Sequence, residues 1–227
     1  MEQGEAISVQ VTVVSDYVCP WCFIGLTRVE QLERDYDIEV EWAPYELRPN
    51  TPPEGIAFER LRGRPPYTDD YLVNIRVLAD AAGIEMADRT LVPNSLPSLK
   101  AAEWAREKGV FSQLHRAMFK AYFEESRDIG DLDVLREIAT GLGLDADDMV
   151  ASVQSGRYDD RLEEKLEWSR VAGQGGVPRF VFKATYADGS TKRAGFAGAQ
   201  DYVLFQQFMH KLGAKPRSSA GADPGER

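Results

Sequence analysis

Cys19 and Cys22 are the entire thiol complement of this 227-residue chain, and they stand in one motif, Cys19-Pro20-Trp21-Cys22. A pair at that spacing can close a disulfide or supply half of a metal site. Structural zinc usually takes four cysteine or histidine ligands at clustered spacing. The chain adds only His115 and His210, far apart and both within amphipathic helical patterns, so no such set assembles. With both cysteines inside one motif the pair is no structural staple; what is left is thiol–disulfide exchange or a chance spacing, and a chance pair does not usually fall at a strand–helix junction.

The elements that must position the pair are legible on either side of it. Residues 7–14 alternate, with Ile7, Val9, Val11 and Val13 on one side, which predicts a strand. Residues 15–18 make a turn, and Cys19-Pro20 opens a helix, because proline suits the first helical position, where its missing N–H would be unbonded anyway. Leu26, Val29, Leu32 and Tyr36 carry that helix to about residue 36. A helix amino terminus presents unpaired N–H groups and partial positive charge, which favour a thiolate. The expected roles follow: Cys19, at the exposed end, attacks a substrate disulfide, and the less accessible Cys22, one turn on, resolves the mixed disulfide.

A second strand at Ile38, Val40 and Trp42 should lie parallel to the first through a right-handed crossover. Residues 48–55 turn to proline and polar residues, a domain boundary. Thr68 caps a helix bearing Tyr71, Ile75, Leu78 and Ala82 before Gly83. Further helices are expected at 97–108, at Phe111, Leu114, Met118 and Tyr122, at Leu132, Leu135, Ala139 and Leu142, and at Tyr158, Leu162 and Leu166, with Asp131 and Asp145 as caps. Strand character returns at 180–182. Asp188-Gly189 turns into 191–194 as an antiparallel hairpin, and Tyr202, Phe205, Met209 and Leu212 share the face of a last helix. The order β-α-β, helical block, β-β-α describes an α/β sheet domain split by an insertion. It divides as 1–52, 53–172 and 173–213, with a tail at 214–227 that has little to bury and is expected to be disordered.

The second candidate element is Gly175-Gly176-Val177-Pro178-Arg179-Phe180, before the third strand. A proline there cannot donate to a ladder and belongs at the strand's first residue. It is either a plain loop proline or a cis bond facing the cysteines, with the Val177 backbone free to pair with an extended substrate. Only about 5–6% of X–Pro bonds are cis, so the fragment alone favours the plain reading.

Residues 15–25, Ser-Asp-Tyr-Val-Cys-Pro-Trp-Cys-Phe-Ile-Gly, with Gly176-Val177-Pro178 before a strand, resemble the DsbA family, and more narrowly its cytosolic FrnE-like branch. Tyr45-Glu46-Leu47-Arg48-Pro49, Pro93-Asn94-Ser95 and Ala121-Tyr122-Phe123 add to the likeness, which runs from about Val11 to Leu212. The resemblance implies a thioredoxin fold with a large all-helical insertion, Cys19 as nucleophile, Cys22 as resolving thiol and Pro178 as the cis-proline beside them. The chain departs from that branch in carrying Pro97-Ser98 where an Ala-His pair often stands, and in having no cysteines near its C-terminus.

Trp21 could rim a hydrophobic substrate site or pack against the helical block. Arg179 could bind an acidic substrate or stabilise the thiolate, and is otherwise a solvated strand-edge arginine. Asp16 most simply caps the turn. Trp104, Trp168, Met118 and Met209 read as core, and the charges of 157–167 as a solvated helix face.

A net charge of −10 argues against nucleic acid and against anionic membrane surfaces. No secretory start and no span of about 18 apolar residues is seen, so a cytoplasmic location is expected. The expected partner is a disulfide-bearing protein or small molecule, with no cofactor, no metal, glutathione as a redox partner, and a monomer or homodimer as the working form. The competing reading is a glutathione-dependent isomerase or transferase of the hydroxychromene-carboxylate-isomerase or kappa-class type. These resemble the chain in outline but typically carry serine in place of Cys19. A third reading is a binding or chaperone module whose cysteines are incidental, and a chaperone contribution could also coexist with redox activity.

Overall fold

The computed structural model describes residues 5–217. Strand β1 (Ala6–Ser15), helix α1 (Pro20–Asp35) and strand β2 (Glu39–Pro44) form the first unit, with β2 parallel to β1 as expected of the crossover. Strand β5 (Arg179–Tyr186) then lies antiparallel to β1, and β6 (Thr191–Ala197) pairs with β5 across the Asp188-Gly189 turn. The sheet order is β2-β1-β5-β6, so the strand leading to the cysteines is central. Phe180 and Phe182 of β5 pack with α1 and with Phe205 of α8 (Tyr202–Lys211) on one face. Helix α7 (Asp159–Ala172) packs beside β2.

Between β2 and β5 stand α2 (Asp69–Ala81), α3 (Leu96–Glu107), α4 (Phe111–Phe123), α5 (Leu132–Gly141), α6 (Ala146–Gln154) and α7. Their starts follow the sequence chemistry. The Thr68 hydroxyl accepts from Tyr71 N, and the Asp131 and Asp145 carboxylates accept from first-turn amides of α5 and α6. The insertion is not purely helical, because β3 (Ile56–Ala57) and β4 (Leu91–Val92) pair antiparallel within it. Two-residue strands carry no alternation long enough to read. A seam of rings joins the two parts: Phe23 of α1 stacks on Phe119 (5.4 Å) and Phe123 (5.7 Å) of α4, and Tyr17 packs on Phe119 (5.0 Å).

Four expectations are corrected. Ile7 is 67% exposed, because a bulge between Ala6 and Ser8 takes it out of the alternation. Trp168 is 50% exposed on α7 rather than core, whereas Trp104, Met118 and Met209 are buried. The charges of α7 do more than face solvent: Arg161 and Lys165 both reach the buried carboxylate of Glu103 on α3, at 2.9 and 2.7 Å, and Arg106 joins them. A carboxylate taken out of water needs such partners. The tail expected to be loose from residue 214 is held through Arg217, whose N–H donates to Asp35 O (2.7 Å) beside a Tyr36–Pro216 bridge. The rest of that tail, 218–227, lies outside the described residues.

Candidate active site

The dithiol sits where β1 hands over to α1. Cys19 is the N-cap, with extended backbone (φ −92°, ψ 114°), and Pro20 takes the first helical position. The Cys19 carbonyl accepts from the N–H groups of Cys22 (3.0 Å) and Phe23 (3.3 Å), and the Cys19 N–H donates to Asp16 O (3.2 Å). Asp16 holds this turn as its residue type suggested: one carboxylate oxygen accepts from Val18 N (3.3 Å). The other accepts from Leu47 N (2.6 Å), which ties the segment after β2 to the cysteine turn. Both cysteines are free thiols.

Opposite them runs the loop after α7. The Val177–Pro178 bond is cis, and the Cys19 thiol points at the Val177 carbonyl, Sγ to O 3.6 Å. The approach is close because Gly25 of α1 faces Pro178: a Cβ there would stand 3.2 Å from Pro178 Cγ and 3.2 Å from Phe180 Cζ. The expected exposure of Cys19 is not found. It is 3% exposed, closed in by its own turn and the Val177 carbonyl, and Cys22 is 0% exposed. The helix terminus is therefore a covered one, and a substrate sulfur must displace neighbours to reach it.

Burial divides the two thiols. It pushes the Cys22 thiol well up, and the adjoining Cys19 adds to this, against smaller lowering by Ser15 and the Asp16 N–H. The Ser15 hydroxyl lies beside that thiol yet makes no hydrogen bond of acceptable geometry. Burial also raises the Asp16 carboxyl to about 6, although its backbone bonds and Ser95 pull the other way. In the seam behind the turn, burial and then Arg106 lower His115 to about 3, which leaves the ring neutral and hydrogen-bonded through Nδ1 to the Tyr17 hydroxyl (2.8 Å). His115 is thus a packed core group.

Trp21 lies half-buried with its ring edge-on to Tyr71 of α2, centroids 6.3 Å apart, so it packs on the helical block while keeping an open side. Burial and nearby Cys19 push the Tyr71 phenol up to about 12. Arg179 is half-buried, not freely solvated, and its Nη1 donates to Gln174 O (3.4 Å), bracing the loop that carries Val177 and Pro178. Cys19, Cys22, Val177 and Pro178 are thus brought together, with Trp21 at the rim and Arg179 directed back along the loop. The place of Tyr71 beside Trp21, with Tyr67 against it, was not anticipated; the Thr68 cap located the helix of Tyr71, but nothing in the sequence said which face meets the dithiol motif.

Among the described residues no group of histidine, cysteine and acidic side chains could hold a metal ion, and no helix is long and apolar enough to cross a membrane. A cavity of about 570 Å³ opens inside the insertion, between α2 and residues 86–89, away from the thiols.

The fold recurs in solved structures. A Streptomyces coelicolor protein described as a probable DsbA oxidoreductase is similar over 90% of this chain and 89% of its own, with TM-score 0.77 and 24% identity. The cytosolic disulfide reductase DsbM of Pseudomonas aeruginosa, solved with GSH, is similar over 89% and 99% (TM-score 0.64, 18% identity). A hydroxychromene-carboxylate isomerase matches over 89% and 95% (TM-score 0.65, 16% identity). At these identities the likeness is one of fold, and it includes both enzyme types that the sequence left in competition. The family profile is more specific, since it matches residues 10–210, from the first strand into the last helix, and on that match the chain belongs to the family of DSBA-like thioredoxin domains.

Proposed function

We propose that the protein is a dithiol–disulfide oxidoreductase in which Cys19 is the nucleophile and Cys22 the resolving thiol. The observation that carries the reading is the unequal pair: two free thiols one turn apart, Cys19 at the helix amino terminus against the Val177 carbonyl, Cys22 sealed beneath it and held as a thiol. Cys19, as thiolate, attacks one sulfur of the substrate; an S–S bond forms to Cys19, the substrate S–S bond breaks, and the departing thiolate takes the electron pair. Cys22 then gives up its proton and attacks the Cys19 sulfur, releasing the second substrate thiolate. One substrate disulfide is reduced and the protein dithiol is oxidised, so turnover needs an external thiol, for which glutathione is the proposed partner. The cis Val177–Pro178 segment would line the substrate against the sulfurs, with Trp21 at its edge and Arg179 keeping the loop in place. The FrnE-like motifs and the similarity to a cytosolic reductase support a cytoplasmic reductase or isomerase.

The test separates this from glutathione-dependent isomerisation or transfer, which needs no second thiol. Cys22→Ser should retain the first attack and accumulate mixed disulfides on Cys19 in insulin reduction with dithiothreitol. Cys19→Ser should lose more than about a hundredfold in rate, a hydroxyl being a far poorer nucleophile toward sulfur. Full disulfide turnover by Cys22→Ser, or glutathione-conjugating activity surviving in Cys19→Ser, would favour the isomerase or transferase reading.

A further inference from the structure

Tyr45-Glu46-Leu47-Arg48-Pro49 takes no part in the chemistry above, yet it is fastened to the dithiol turn. Tyr45 N–H donates to Ser15 O (2.8 Å) and Leu47 N–H to the Asp16 carboxylate (2.6 Å). From the other side, Asn94 Nδ2 donates to Thr51 O (2.8 Å), and Thr51 N–H to Arg48 O (3.0 Å). Arg48 is therefore set on a loop anchored to the turn that precedes the cysteines.

Its side chain is half-buried and lies against Tyr67, with the guanidinium 5.2 Å from the ring centroid and Nη2 donating to the Tyr67 hydroxyl (3.1 Å). The Arg48 Nε is buried and has no acceptor among the described residues. Nor does any described carboxylate come within ion-pair distance of Arg48, although acidic residues outnumber basic ones, 37 to 27. Arg127, Arg157 and Arg170, by contrast, each meet a glutamate. A guanidinium drawn partly out of water without a counterion is unfavourable, and its planar fork suits a carboxylate. A row of rings leads from it toward the dithiol motif: Tyr67 lies edge-on to Tyr71 at 6.1 Å, and Tyr71 edge-on to Trp21 at 6.3 Å.

We propose that Arg48, backed by Tyr67 and Tyr71, forms a carboxylate-binding subsite on the loop fastened to the dithiol turn, so that the preferred substrates are disulfides bearing a carboxylate. This rests on Cys19 being the attacking thiol. The substrate carboxylate replaces the missing counterion, and the Tyr71–Trp21 edge receives the apolar part of the same molecule. The covalent step is unchanged: the Cys19–substrate S–S bond forms, the substrate disulfide breaks, and the leaving thiolate carries the electrons.

The experiment compares two aromatic disulfides that release coloured thiols, dithiobis(nitrobenzoate), which carries a carboxylate, and dithiodipyridine, which does not. Rates with the reduced full chain in a Cys22→Ser background are divided by those of free cysteine under the same conditions. The acidic-to-neutral preference should fall about fivefold to tenfold in Arg48→Gln and be partly restored in Arg48→Lys, which keeps the charge but not the fork. In the unmutated Arg48 protein it should shrink as salt rises to about 1 M, where the Debye length is about 3 Å. An unchanged preference in Arg48→Gln, an equal loss in Arg48→Gln and Arg48→Lys, or a preference indifferent to salt would each overturn the subsite. If the Gln variant does not fold, the salt titration decides alone. Failure of Cys19 to react with either reagent would instead sink the dithiol reading, so the two failures are distinct.

Discussion

The end of the sheet that carries the cysteines and the helical insertion above it are built by different rules. Around β1 and α1 the geometry is short-range: a strand ends, an aspartate caps the turn, Cys19 stands at the N-cap, and a proline starts the helix. In the insertion the residues that bear on the same sulfurs come from distant places. Phe119 packs from α4 and Tyr71 from α2. The first region carries the two sulfurs, and the second decides how dry they are. Cys22 is held as a thiol chiefly by burial, so the insertion and the packed sheet set its chemistry as much as the motif does.

If the two regions share one core, damage at the seam should unfold both together. Phe119 is fully buried and touches Tyr17, Phe23, Phe123 and His115. Phe119→Ala should cost about 3–5 kcal/mol. Denaturant curves read by far-UV dichroism and by reactivity of the Cys22 thiol should stay coincident. An insertion that melted first while Cys22 remained protected would make the two regions separate folding units.

A smaller effect should appear where the sheet end and the segment after β2 meet, at Asp16. Its folded pKa of about 6 lies above the ordinary 3.8, so the folded chain holds this proton more tightly than the unfolded one. The stabilisation is complete below about pH 4 and is lost as pH rises toward and through 6. At 1.36 kcal/mol per unit the contribution is up to about 3 kcal/mol. Asp16→Asn removes the titration, and its single carbonyl oxygen cannot accept well from both Val18 and Leu47. The stability gap between wild type and variant should therefore widen from pH 7 to pH 4. Parallel curves over that range would show that burial does not control this carboxyl.

The same contrast explains what the sequence disclosed. The dithiol junction, the parallel β1–β2 pair, the hairpin and the helix caps were legible because local chemistry fixes each: alternation for strands, Asp and Thr before helices, Asp-Gly in the turn. The DsbA likeness followed from two short motifs. The burial of Cys19, the neutral His115 and the anchored Arg48 were not legible, because each depends on which helix of the insertion meets the sheet end. Ile7 and Trp168 failed for related reasons, since a bulge and a helix rotation leave residue types unchanged. Arg48 had been visible only as a letter in a family-like motif.

The last prediction concerns the thinnest contact in the comparison, between α1 and the cis-proline loop. Glycine inside a helix is normally a weakness, and exchanging it for alanine gains about 0.5–1 kcal/mol in helix propensity. At Gly25 the new methyl would stand 3.2 Å from both Pro178 and Phe180, so one of them must yield by a few tenths of an ångström. Phe180 is fully buried between the sheet and Phe205, and has little room. Pro178 begins at a loop rich in glycine, Gly173 to Gly176, and yields more easily. The overpacking and the propensity gain oppose each other, so Gly25→Ala should change stability by no more than about 1 kcal/mol in either direction. Its effect should appear at the sulfur instead, because moving Pro178 moves the Val177 carbonyl off Cys19 Sγ, now 3.6 Å away. Exchange should slow several-fold in a protein of near-normal stability, measured as the rate of mixed-disulfide formation in the Cys22→Ser background. A Gly25→Ala protein that exchanges at the wild-type rate would mean that the Val177–Pro178 wall does not guide the substrate.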